Sequence, residues 1–140
     1  MRGGERGATS IELAILTPAV IGFFAAVVIA GRITLALQAA DSAAYDAART
    51  ASLARTAAAA QPAATNAARA SFSSQGITCT SLTVTANTNG FFVPVGQPAT
   101  VTVTVTCVAM LSDVALPTMP GSTTLTSSFV SPLDRYRARG

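Results

Sequence analysis

Few side chains in this sequence are equipped for chemistry, and their spacing narrows what they can do. Cys79 and Cys107 are its two cysteines. Both follow a long apolar run, on the side that is oxidising if the chain is exported, so a disulfide between them is the simplest use. With no histidine and no C-x-x-C pair they make a poor zinc site. Closing that loop would stabilise the fold by about 3 to 4 kcal/mol in the chain-entropy treatment. Lone cysteines far apart in Thr-rich strands are structural far more often than redox-active.

The absence of histidine removes the usual general base, and the six carboxylates are spread thinly along the chain. Asp113 and Asp134, the ones beyond the long helix predicted below, form no recognisable pair. There is no phosphate-binding glycine loop and no cluster of metal ligands. The chain is therefore expected not to be an enzyme and to hold no cofactor or metal. What remains is Glu12, directly against the apolar run. A carboxylate there carries a burial cost of a few kcal/mol unless it is paired or reaches the membrane interface. It could sit at headgroup depth, favoured by the positive end of a helix that begins near Thr9 or Ser10.

The element that positions Glu12 is the run LAILTPAVIGFFAAVVIAG at residues 13–31, which contains no charged residue. As a helix it spans about 28 Å, close to the hydrocarbon thickness of a bilayer. The whole chain agrees with membrane contact: of 140 residues half are hydrophobic and 11% charged, with a mean hydropathy of +0.49. Arg2, Arg6 and the terminal amine, offset by Glu5, precede the run, whereas Arg32 is followed by Asp41 and Asp46. The positive-inside tendency then leaves the N-terminus in the cytoplasm and exports the rest, making a single-pass protein of the cytoplasmic membrane. A cleavable secretory signal fits less well. The run exceeds the usual apolar core of such signals, and Arg32 stands where small residues should mark a cleavage site. Pro18 inside the run deletes one backbone donor and crowds the carbonyl of Ala14, predicting a kink or local unwinding.

Basic residues, a glycine, a glutamate five places later and an apolar helix containing proline resemble the class III signal of type IV pilin-like proteins. Over residues 6 to about 52, RGATSIELAILTPAVIGFFAAVVIAGRITLALQAADSAAYDAARTAS is similar to the N-terminal region of TadE-like proteins of the tight-adherence pilus system. The resemblance implies cleavage after Gly7 by a membrane prepilin peptidase, with Ala8 as the new N-terminus and Glu12 as the fifth residue of the mature chain. Glu12 would then face the terminal ammonium of a neighbouring pilin-like subunit, each charge otherwise being unpaired at low dielectric. Ala8 and Glu12 also share a helix face within one subunit. Many relatives carry an aromatic residue where this chain has Leu13. The implied function is that of a minor pilin or pseudopilin in pilus assembly, with the assembly machinery and the lipid bilayer as further partners. A permanently anchored surface or adhesion protein that enters no filament is the alternative, and a secreted binding domain a third reading.

Beyond the membrane the helical pattern continues. Leu37, Ala40, Ala44, Ala47, Ala51, Ala54 and Ala58 form a face of small side chains, suited either to other subunits or to docking on this chain's own sheet. Asp41, Tyr45 and Arg49 lie on a different face, where exposed pairs add little. Pro62 is expected to end the long helix near Ala60 and to open a shorter one that Gly76 terminates. Thr- and Val-rich alternation then predicts strands at 77–86, 99–108 and 122–130.

The first two strands are expected to form a hairpin across ANTNGFFVPVGQP. Direct opposition of Cys79 and Cys107 would put Leu82 and Val84 on one face with Thr102 and Thr104, against the apolar pattern. Either a bulge near Thr80 and Ser81 reconciles the two, or the bond forms without direct opposition. Phe91, Phe92 and Val93 either fold back over the sheet or form an exposed tip. The expected fold is α+β: leader 1–7, transmembrane and pilin-like helix 8–60, and a small exported α+β head 61–140. A net charge of +3 carried by scattered arginines argues against nucleic acid. The terminal run Arg135, Tyr136, Arg137, Ala138 and Arg139 could touch phosphate or an acidic surface, or simply be solvated.

Overall fold

The computed structural model describes residues 4–136. Arg2, Arg137, Ala138 and Arg139, and with them the start of the leader and part of the terminal basic run, lie outside the described residues. In order along the chain come α1 (Gly4–Ser52), α2 (Ala57–Ser74), β1 (Cys79–Asn87), a 3-10 turn (Asn89–Phe92), β2 (Thr100–Met110), α3 (Leu111–Val114) and β3 (Ser122–Pro132). This is the expected α+β arrangement: a long apolar N-terminal helix, then a three-stranded antiparallel sheet in the order β1-β2-β3.

The alanine run does not hold one helix as far as Ala60. α1 stops at Ser52, where the Leu53 and Ala54 amides turn back three residues to Thr50 (3.2 Å) and Ala51 (3.1 Å). This tightening satisfies carbonyls that a helix end leaves open. Thr56 is extended, and its hydroxyl accepts the Ala59 amide, so α2 starts at Ala57. Pro62 consequently lies inside α2, where it forfeits the one bond to the exposed Ala58 carbonyl that water can replace. The other end follows expectation. Gly76 has φ 73°, its amide bonds Ser73, and the Ile77 amide reaches Phe72 at 3.1 Å. Ile77 and Phe72 are both buried, which completes a Schellman cap.

The sheet register resolves the cysteine conflict. Leu82, Val84 and Ala86 of β1 face Cys107, Val105 and Val103 of β2. A bulge between Cys79 and Ser81 then shifts the count by one, so that Cys79 stands opposite Ala109. The extra residue flips the parity, which keeps Cys79 and Leu82 both on the core side. Cys79 and Cys107 therefore bond diagonally, with their Cα atoms 5.4 Å apart, where the strictly opposed pairing would have turned the valines outward.

The core lies between that sheet face and the two helices. Ala36, Ala40, Ala44, Ala47 and Ala51 of α1 meet Ala60, Ala64, Ala68 and Phe72 of α2 and Val101, Val103, Val105 and Leu125 of the sheet, all buried. Small side chains let the elements approach closely. The alanine face from Ala36 onward is thus spent on docking within the chain. Leu37 and Ala58, expected on that face, are exposed.

Candidate functional site

Below Ala36 the same helix changes character. Large apolar side chains from Ile11 to Leu35 stand in the open, with Ile15 and Phe23 each 67% exposed. The stretch reaches a hydropathy of 2.5 with none of it buried, and helix Gly7–Ser52 is the one candidate membrane span among the described residues. An isolated apolar surface of this extent would be costly in water and is stable in lipid. Its polar groups are closed locally: the Thr17 hydroxyl donates to the Leu13 carbonyl at 2.6 Å, a bond suited to a hydrocarbon setting. The helix continues through Pro18 without unwinding. The chain has the form of a single-pass membrane protein.

Gly7, Ala8 and Glu12 all lie in the first turns of this helix and are exposed. A Cβ added at Gly7 would meet nothing within 4 Å, and the same holds at Gly22 and Gly31. Glycine in a helix costs about 1 kcal/mol relative to alanine, and within the chain no contact requires it at these three positions. Glu12 has no ion-pair partner among the described residues.

The junction with the head is polar. Arg32 Nη1 donates to the Ala115 carbonyl at 3.0 Å, and Asp113 Oδ2 accepts the Thr78 amide at 3.3 Å. A cleft of 320 Å³ lies between them, lined also by Ala39, Gln75 and Val114. The hydrocarbon stretch therefore ends at the turn of α1 around Arg32, where the helix first touches the head. Asp134 is at the opposite end of the head, so the two head carboxylates are not brought together. Among the described residues no group of three or more His, Cys, Asp or Glu could hold a metal.

Residues 7–49 match the family model for TadE-like protein. That match bears out the resemblance read from residues 6 to about 52. No curated protein and no solved structure matches the chain. The matched segment ends within the last turn of α1, so the TadE-like character belongs to the membrane helix and its docked continuation. The head from α2 onward lies outside it.

Several positioning contacts had no signal in local sequence. Asp41 and Tyr45 are not simply exposed: Asp41 accepts the Ser127 hydroxyl, and Tyr45 meets Phe129 edge-on at 4.9 Å. The contacts climb in step, from Asp41 with Ser127 to Ser52 with Ser131, so α1 and β3 run parallel away from the membrane. The outer edge of β1 is clamped by Gln61, whose amide accepts the Ala86 N–H at 2.9 Å and donates to the Val84 carbonyl. Covering an edge this way blocks strand addition there. Phe91 is buried and Phe92 exposed, so the aromatic loop does both things its sequence allowed.

Proposed function

We propose that the chain is a membrane-anchored minor pilin or pseudopilin of the TadE-like type that takes part in assembly of a tight-adherence, type IVb-like pilus. The observation that carries this reading is one continuous helix that has an apolar stretch with no residue buried, that docks its later turns on a small head, and whose residues 7–49 match TadE-like proteins. The N-terminus lies in the cytoplasm and the head on the far side of the cytoplasmic membrane, where the disulfide is stable. A prepilin peptidase cuts between Gly7 and Ala8. Glycine at the cut explains a residue that the helix itself does not need. Once Ala8 is terminal, its ammonium and Glu12 of a neighbouring subunit neutralise each other near the start of the hydrocarbon region. The role is assembly through subunit contacts and lipid, without catalysis.

A second reading, a permanently anchored surface or adhesion protein, draws on the start of α1 at Gly4, upstream of Gly7. A peptidase must unwind that first turn to reach the bond. The two readings separate on Glu12→Ala. Under the first, the variant inserts in the membrane at normal levels while its recovery with sheared pili or pilus-assembly complexes falls. Unchanged recovery contradicts the charge pairing.

A further inference from the structure

The end of the head farthest from the membrane span turns large apolar side chains to solvent. Leu53 is 75% exposed, Phe92 73% and Val95 55%. They come from three segments: the link after α1, the end of the 3-10 turn and the loop before β2. Hydrogen bonds tie two of these segments to β3 and the stretch that follows it. The Leu133 amide donates to Ala99 at 2.9 Å and the Gly96 amide to Arg135 at 2.9 Å, while the Ser131 and Ser52 hydroxyls bond at 3.1 Å. Gly90 lies so close to the Thr100 carbonyl and the Leu133 side chain that a Cβ would not fit. The apolar side chains thus project from a fastened scaffold.

Charge at this tip is one-sided. Arg49, Arg55 and Arg135 are exposed around it. Asp134 is the acid beside them, and its Oδ1 accepts the Tyr136 amide at 2.9 Å.

We propose that this tip docks on an anionic lipid surface, a second bilayer facing the one that holds α1. Apolar side chains projecting singly, with exposed arginines on the neighbouring segments, suit a headgroup layer that deforms around each. A rigid protein partner would need a separate pocket for every one. A soluble polyanion could meet the arginines but would leave the apolar side chains in water. Each arginine brought near an anionic bilayer strengthens binding about fivefold, and the apolar side chains add the part that salt does not screen.

The test uses the full chain held in phosphatidylcholine nanodiscs, mixed with vesicles and floated on a density gradient. Vesicles with about 30% phosphatidylglycerol should carry the protein upward, and pure phosphatidylcholine vesicles should carry far less. Arg55→Glu with Arg135→Glu should weaken flotation about tenfold or more, and Leu53→Ser with Phe92→Ser should weaken it at high salt as well. Retention of the disulfide and of the circular dichroism spectrum shows that each variant is folded. Absence of flotation, or flotation indifferent to both variant pairs, overturns the proposal. So does lipid-independent association of protein-loaded nanodiscs that Phe92→Ser abolishes, which would make a second copy the partner.

Discussion

Replacing Gln61 by alanine removes both halves of the clamp on the outer edge of β1. Val84 is buried, so its carbonyl loses a partner where water has little access, a loss of about 1 to 3 kcal/mol. The Ala86 amide is half-buried, and water can take over much of its bond, adding roughly 0.5 to 1 kcal/mol. The expected total is about 2 to 3 kcal/mol, with allowance for non-additivity between neighbouring groups. Gln61→Glu is the sharper companion. It keeps an acceptor for the Ala86 amide yet sets a carboxylate against the Val84 carbonyl, so it should destabilise at least as much. Gln61→Met conserves volume and separates lost packing from lost hydrogen bonds. Urea unfolding of the oxidised full chain in mild detergent, followed by the far-ultraviolet signal of the sheet, should show a lower midpoint at unchanged slope. A midpoint shift worth less than about 0.5 kcal/mol for both Ala and Glu would refute the clamp, since ordinary surface substitutions fall in that range.

Three further outcomes are expected, two from the packing of the head and one from the membrane orientation. Cys107→Ser should lower stability by about 3 to 4 kcal/mol, and the wild-type protein with reductant should melt with the variant in a thermal scan. Ala44→Leu, placed where α1 presses on the head, should cost about 1 to 3 kcal/mol through overpacking, while Leu37→Ala on the exposed face should leave the melting temperature nearly unchanged. A reporter active only outside the cytoplasm should work when fused after Pro132 and fail when fused at the N-terminus; the reverse pattern would contradict the orientation.

The sequence makes some levels of this fold readable and hides others for identifiable reasons. Residues 13–31 announce a membrane helix because nineteen-odd uncharged positions have no comfortable place in a head this small. The strands announce themselves through alternating Val and Thr, and Gly76 through the left-handed turn it permits. The break between α1 and α2 is hidden because alanine signals helix equally on both sides of it. The Thr56 cap and the docking of Ala51 and Ala60 place that break. Pro62 misleads because a proline near the start of a helix costs one replaceable bond. Gln61 and Tyr45 are invisible for a different reason: their partners lie in distant strands, and no local period encodes such pairs. At the candidate site, Gly7 and Glu12 are conspicuous in the sequence through their placement before the apolar run. In the structure they remain conspicuous as an unneeded glycine and an exposed carboxylate.

The measurement closest to the centre of this account is the intact mass of the polypeptide extracted from membranes of cells with an active prepilin peptidase. The expected species is a chain beginning at Ala8, with Cys79 and Cys107 oxidised. A chain that still begins at Met1 under those conditions, or one that starts beyond Arg32, would contradict it.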